Sequence, residues 1–259
     1  MINEIRLLID NYPIWSYLSY SDIKSRFRRS KLGVVWQVVN QLAFSVGAGL
    51  IWSAVFNLDP AEFIPFLTMG FAVWGFISAS PVEGCSAFVN AHGYLKQLPL
   101  SPSIFVFRTL FTQLIYLAIG LATALAVLAY FQKLTLLGAL LTLPGLLLLI
   151  LYSYGAIGSF AYLGLRYRDL QHGLASLFSL LFVVTPVIYP AEVLIQRGLG
   201  MAVYVNPFAS LIEIVRYPIL QGEFAHFNHY LVSFAFVFVL LMLRAILKFR
   251  FERYIPFLS

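Results

Sequence analysis

The sequence predicts an all-α integral membrane protein. Its expected parts are six transmembrane helices, an N-terminal amphipathic interface helix, and short re-entrant helices between spans five and six. Three observations carry this reading. Of the 259 residues, 61% are hydrophobic and 11% charged, against roughly 45–50% and about 25% in soluble domains. So few charges cannot cover the surface of a soluble globule, and disorder, collagen and coiled coil fail on the same composition. Six stretches of 20 to 32 residues contain no Asp, Glu, Lys or Arg, and about 20 apolar residues suffice to cross a ~30 Å hydrocarbon core. Finally, the basic residues gather in alternate gaps between those stretches.

The expected spans are Leu32–Leu58, Phe63–Val82, Thr109–Gln132, Leu134–Leu165, Leu170–Ala191 and Phe224–Leu243. The fourth is the longest and holds Pro144 and Gly145 near its start, which suggests a tilted span with a short lead-in rather than two crossings. Between spans five and six, residues 192–222 have no uncharged run long enough to cross. Gly198, Gly200, Pro207, Pro218 and Gly222 punctuate them, so this region reads either as short helices that dip into the membrane and return or as a surface loop. Irregular backbone at membrane depth is tolerated only against protein or water. The chain divides into an N-terminal segment (1–31), a six-span bundle (32–249) and a tail (250–259), all one transmembrane domain. Residues 1–11 show no early apolar run before a cleavage site, so the spans themselves are expected to direct insertion.

Even-numbered spans put both termini on one side. That side carries 14 Lys and Arg, and the other carries three, Lys133, Arg197 and Arg216. The positive-inside rule then places both termini in the cytoplasm. The net charge of +6 is thereby explained by a membrane face rather than by nucleic acid.

Several segments carry more than topology. Residues 21–31, SDIKSRFRRSK, hold Lys24, Arg26, Arg28, Arg29 and Lys31. With Tyr20, Ile23 and Phe27 as an apolar stripe, they suggest a helix in the inner interface against anionic headgroups. The alternative is a topology signal alone. Residues 90–98 can form two helical turns stopped by Pro99 and Pro102. Tyr94, Leu95 and Leu98 would bring apolar groups to that short helix, for burial either by a partner protein or by the protein's own spans. Arg166, Arg168 and Asp169 in RYRDL form either an ion-pair cluster or a solvated loop, and exposed pairs contribute only about 0–1 kcal/mol. In TPVIYP (185–190) two prolines four apart bend or break span five near its outer end, with Tyr189 at the outer interface. Glu213 and Arg216, three apart, can pair on one helical face.

Signatures of soluble-enzyme chemistry are missing. There is no phosphate-cradling G-x-x-x-x-G-K-[ST] and no His pair at zincin spacing. Cys85 is single, with no disulfide partner and no metal spacing. His92, His172, His226 and His229 are scattered. The six stretches hold no charge of the kind a proton-coupled carrier keeps at depth. Aromatic residues are abundant, with 24 Phe, 15 Tyr and 4 Trp. In span one Phe44, Trp52 and Phe56 recur on one face with Trp36 above them. That face meets either lipid or a pore, where flat rings can stack on sugars.

Taken in order, KSRFRRSKLGVVW (24–36), LKQLPLSP (95–102), RYRDL (166–170), TPVIYP (185–190), Asn206-Pro207, Arg216 and Gly222 resemble the membrane subunit of an ABC-2 type exporter. The resemblance is to the branch that exports bacterial polysaccharides such as O-antigen, capsule or teichoic acid, and it runs through almost the whole chain. It implies a permease of the bacterial inner membrane that forms a homodimer around a pore lined by spans one and five. Pore-lining candidates are then Trp36, Phe44, Trp52, Phe56, Phe178, Phe182 and Tyr189. It implies two cytoplasmic ATPase subunits, which hold ATP and Mg while this chain binds no cofactor and is no enzyme. His92, Tyr94, Leu95, Lys96 and Leu98 would form the coupling helix to that ATPase. Lys24, Arg26, Arg28, Arg29 and Lys31 would gate admission of a lipid-linked glycan, and Arg166, Arg168 and Asp169 would make an inner-end cluster. Glu213 and Arg216 would belong to an outer gate. Membrane lipids and periplasmic export proteins are the further partners. Competing readings are a permease for small amphipathic drugs or lipids, a membrane-embedded transferase, and a secondary carrier.

Overall fold

The computed structural model describes residues 2–97, 100–198 and 200–251, and among these every regular element is a helix. Two short helices come first, α1 (Ile2–Asp10) and α2 (Tyr12–Arg26). Five further helical units are long and apolar enough to cross a membrane. They are α3 (Val35–Phe56), α4 (Pro60–Ser86), α6 (Ser103–Tyr130), the pair α7 (Leu136–Leu141) with α8 (Leu143–Arg166), and α13 (Phe227–Phe251). The remaining helices are α5 (His92–Gln97), α9 (Leu170–Val184), α10 (Ala191–Gln196), α11 (Gly200–Tyr204) and α12 (Pro207–Gln221).

The α4 helix is the axis of the bundle, touching α3, α6, α8, α9 and α12. Close helix approach in a membrane depends on small residues and on hydroxyls that bond across the interface. Both occur along α4 and α8. A methyl group at Gly84 would sit 2.9 Å from the Cα of Ile157. Ser80 and Ser153 lie 2.8 Å apart, and Tyr152 donates to the Ile77 carbonyl at 3.0 Å. One end of the bundle gathers α1, α2, α5 and the end of α13, where Lys248 donates to Ser103 Oγ and Phe251 and Leu8 pack on one apolar cluster. The loops 57–59 and 131–135 and the helices α10–α12 occupy the opposite end.

The fifth expected span is broken near its outer end, as the prolines of TPVIYP predict. Its helix stops at Val184 after 15 residues, about 22 Å at 1.5 Å per residue, short of the ~30 Å core. Thr185 is extended, with ψ 137°, because Pro186 disfavours the helical region for the residue before it and removes a donor. The sixth stretch errs the other way: α13 runs on past Leu243 to Phe251. Arg244 stays buried there, its guanidinium 4.0 Å over the Tyr154 ring.

Within residues 192–222, the second half is a buried helix rather than a surface loop. The α12 helix is capped at Asn206, whose Oδ1 accepts from the N–H groups of Phe208 and Ala209, and closes at Gly222 with φ 72°. Leu211, Ile212, Ile214 and Val215 are wholly buried in the main core with α4, α8 and α13.

The apolar stripe of the N-terminal helix also differs. Trp15, Leu18 and Ile23 are the buried apolar residues of α2, while Tyr20 faces outward and Phe27 lies beyond the helix end. The face is set by Ser19, which donates to the Arg108 carbonyl at 2.7 Å and fixes α2 against α6.

Candidate translocation groove

A groove of about 470 Å³ opens between α3, α4 and α6. Its α3 wall carries three amides, Gln37, Asn40 and Gln41, spaced so that they share one helical face. Gln37 donates to the Tyr116 carbonyl at 2.8 Å. Gln41 donates to the carbonyls of Thr68 and Gly120, both at 3.0 Å. These bonds tie α3 to both neighbours without burying a charge. Trp36 and Phe44 flank the amides, and Phe71, Gly75 and Ala79 of α4 form the floor. The three amides are absent from the sequence reading because a search for charge passes over Asn and Gln. Their spacing within span one was the available signal.

The other pore candidates scatter. Trp52 and Phe56 stack at 5.5 Å between centroids, nearer the opposite end, with Phe63 against Phe56. Phe182 packs on Phe71 and Trp74. Phe178 is only 6% exposed, turned inward among Trp74 and Phe208. It therefore lines no open surface of this chain, because the outward face of α9 is carried by Leu177, Leu180, Val183 and Val184. Tyr189 folds back and donates to the carbonyls of Val183 and Val184 at 3.0 Å, satisfying acceptors left at the end of the broken helix.

Next to the groove, α2 is held by two ion pairs of opposite polarity. Arg108 makes a two-point contact with Asp22, at 2.7 and 2.5 Å, and Arg26 reaches Glu83 at 2.8 Å. Arg26 also lies 5.8 Å from the Tyr116 ring centre. Of the five basic residues expected to act together, only Arg26 is so engaged. Lys24, Arg28, Arg29 and Lys31 are exposed, the last three beyond the end of α2.

On α5, His92 is exposed and Tyr94 is 41% exposed, its ring 6.1 Å from Phe105. Leu95 packs against the protein's own apolar cluster. Leu98 lies outside the described residues, and Lys96 lies outside those with described side chains. Arg166, Arg168 and Asp169 are all exposed and form no ion pair with one another. Arg166 ends α8, and Arg168 and Asp169 lie in the turn before α9.

At the opposite end, Arg216 is 1% exposed. It donates to the carbonyls of Pro186 and Val187, at 3.0 and 3.3 Å, pairs with Glu213, and lies 3.8 Å over the Phe66 ring. A surface site on α12 is thus excluded for it. The guanidinium substitutes for solvent around the break in α9, and Asn206 adds a bond to Thr185 Oγ1 at 3.1 Å. A cavity of about 480 Å³ adjoins the pair, lined also by Tyr204, His226 and His229.

Comparison with known proteins agrees with this architecture. The O-antigen export system permease protein RfbA of Klebsiella pneumoniae is 22% identical over 239 residues, covering 90% of this chain and 92% of that protein. The Myxococcus xanthus protein of the same name is 25% identical over 215 residues, covering 82% of each. The profile of the ABC-2 type transporter family matches residues 15–220, most of the chain, and with five helices fit to cross a membrane this multi-pass membrane protein belongs to the ABC-2 type transporter family.

Proposed function

We propose that this chain is the membrane subunit of an ATP-driven exporter that moves a lipid-linked polysaccharide across the bacterial inner membrane. Two copies would enclose the path, and a separate cytoplasmic ATPase would supply the energy. The end bearing α1, α2 and α5 faces the cytoplasm, as the bias of basic residues requires. The α9 helix and its extended continuation through residues 185–190 complete a sixth crossing. The α10, α11 and α12 helices then sit in the outer leaflet, with Glu213 and Arg216 holding the outer end of α9.

One observation carries the reading. The groove offers amides and rings and, apart from Arg26 and Glu83 at its rim, no charge. Sugars are bound by such surfaces through hydroxyl–amide bonds and ring stacking. The near end-to-end similarity to permeases named for O-antigen export supports the same class of cargo. Nucleotide energy would select between inward- and outward-open states, each with its own affinity for the glycan.

The test is export by the reconstituted permease–ATPase pair. Proteoliposomes loaded with a lipid-linked glycan should move it to the opposite leaflet only with ATP, and Asn40→Leu should slow that movement. Equal transport of small amphipathic dyes, with no movement of glycan, would overturn the reading in favour of drug or lipid export.

A further inference from the structure

The cavity beside Glu213 and Arg216 holds about 480 Å³, within the roughly 300–1,000 Å³ of small-ligand pockets. Its carboxylates and cations pair off, Glu213 with Arg216 and Glu62 with Lys133. No uncompensated charge is left there to hold an ion. What the cavity offers is hydrogen-bonding capacity of both kinds. Glu213 spends one oxygen on Arg216, and its other oxygen has no partner among the described residues. Arg216 Nε is buried there without an acceptor among them.

His229 adds a second donor. Ser210 is wholly buried, and the partner of its hydroxyl is His229 Nδ1 at 3.1 Å. A buried hydroxyl that failed to donate would be costly, so Nδ1 accepts and the ring proton sits on Nε2. That nitrogen has no partner among the described residues, although His229 is buried and lines the cavity. Unmet donors beside an unmet acceptor call for a ligand that gives and takes hydrogen bonds at neighbouring atoms. Adjacent sugar hydroxyls do this, each being donor and acceptor at once. Rings complete the surface. Tyr204 is exposed and stacks on His229 at 6.2 Å between centroids. A run of rings leads in from α3: Trp52 to Phe56 at 5.5 Å, Phe56 to Phe63 at 6.2 Å, and Phe63 to Phe66 at 5.6 Å. Trp52 is exposed about two turns along α3 from Phe44 of the groove, and Phe63 and Phe66 line the cavity. The helix that walls the groove thus carries rings onward to this second site.

We propose that this cavity binds a short, uncharged stretch of the emerging glycan, as a holding site at the outer end of the path. Adjacent sugar hydroxyls take the free Glu213 oxygen and His229 Nε2, while an apolar sugar face lies on the Tyr204 ring. A hydrogen bond to a carboxylate is stronger than one to the neutral amides of the groove. One tight site therefore lies beyond a wall of weak ones, and it keeps the chain from sliding back while the transporter resets. The inference rests on the export reading for the source of its ligand, but binding is measured without transport.

The experiment uses the full permease with its ATPase partner in lipid nanodiscs. The probe is a set of short oligosaccharides, released by mild acid from the surface glycan of the source strain and tagged with a diazirine. After illumination, mass spectrometry locates the labelled peptides. Label should appear within residues 200–229, and excess untagged oligosaccharide should protect them. The same oligosaccharide with its primary hydroxyls oxidised to carboxylates should protect less, because the cavity has no free cation to receive it. His229→Phe should lower this labelling about three- to tenfold, the loss of one neutral hydrogen bond, and leave labelling of α3 unchanged. Tyr204→Leu should also lower it, at an exposed position where the fold does not depend on the ring. The competition is read on the unaltered protein, so a folding defect in either variant leaves the test intact. No label in residues 200–229, label that untagged oligosaccharide does not displace, or equal protection by the oxidised form would each overturn the proposal. ATP-driven transport is scored separately. Lost labelling with intact transport removes the holding site and leaves the export reading standing, whereas intact labelling without glycan transport removes the export reading and leaves a sugar site.

Discussion

Replacing Arg216 by Met should be among the most damaging single changes available in this chain. The guanidinium serves three structures at once: the carbonyls of Pro186 and Val187, the Glu213 carboxylate, and the Phe66 ring. The Glu213 side chain is 14% exposed, so the variant strands a carboxylate largely away from water. Removing one partner of a buried pair costs about 3–5 kcal/mol, or between about two and three and a half powers of ten in the folding equilibrium. The freed carbonyls lie within the same range, since effects at one cluster do not add. The double variant Glu213→Gln, Arg216→Met removes the stranded charge and leaves only the unpaired carbonyls, a loss of about 1–3 kcal/mol. The order of apparent melting temperatures in detergent should therefore be unaltered protein, then double variant, then Arg216→Met. Arg216→Lys should fall below the unaltered protein as well, because one ammonium on a flexible stem cannot reach both Glu213 on α12 and the carbonyls after α9 in the guanidinium's planar geometry. Ranking by scan suffices here, as unfolding of such a protein is read as a rate rather than an equilibrium. A double variant less stable than Arg216→Met, or an Arg216→Met protein that melts with the unaltered one, would refute the role given to this guanidinium.

Further outcomes follow from the packing and from the bias of basic residues. Leu95→Asp should lower membrane yield, because Leu95 packs on the protein's own cluster. Tyr94→Asp, on the exposed face, should leave yield normal and reduce co-purification of the ATPase, and normal values of both would remove α5 from the docking surface. Asp22→Arg should loosen α2 and speed tryptic cleavage at Arg28 and Arg29, and adding Arg108→Asp should restore protection; if exchange of the charges gives no recovery, the two-point contact does not hold the helix. In a Cys85→Ala background, cysteine at position 197 should react with an impermeant thiol reagent on cells with a permeabilised outer membrane, and cysteine at position 28 should not. The reverse pattern would invert the topology. The native Cys85 is buried and should itself react slowly.

Where the chain is plainly apolar, sequence and structure agree closely. Uncharged runs mark α3, α4, α6 and the α7–α8 unit because a lipid-facing backbone must close its own hydrogen bonds, and a long helix is the simplest way to do so. The same count misplaces the ends of two later elements. It runs span five through Thr185–Pro190 because proline carries no charge, and the helix break there is legible instead from the two prolines of TPVIYP, with α9 ending at Val184. It stops span six at Leu243 because Arg244 is charged, although the Tyr154 ring holds that charge within the bundle. Arg216 is legible only in part, because its burial also depends on a backbone carbonyl 30 residues earlier in the chain. No spacing rule reaches that far. The partner at Glu213 was legible, being one helical turn away. The bonds Asp22–Arg108 and Arg26–Glu83 were not, since each joins segments more than 50 residues apart.

The distribution of charge that results bears on the proposed transport. At the terminal end, beside the groove, Arg26 pairs with Glu83 and Asp22 with Arg108. At the opposite end Glu213 neutralises Arg216, and Glu62 meets Lys133 at 2.9 Å. Between the two lies a wall of amides and rings. A charged lining would present deep wells to a polar polymer, because a hydrogen bond to an ion contributes about 1.5–3 kcal/mol, against about 0.5–1.5 for a neutral one. Each well of an extra 1.4 kcal/mol would lengthen a pause tenfold. Neutral amides and ring faces hold a hydroxyl-rich chain weakly and at many places, so one sugar can leave as the next arrives. Conduction through a path requires sites that are favourable enough to occupy and weak enough to leave. Replacing Asn40 by Asp tests this directly. The added carboxylate should bind glycan hydroxyls more tightly and slow export per ATP hydrolysed, whereas Asn40→Gln should leave the rate within about twofold of the unaltered protein. Faster export by the Asp variant would show that the neutrality of the wall is incidental to transport.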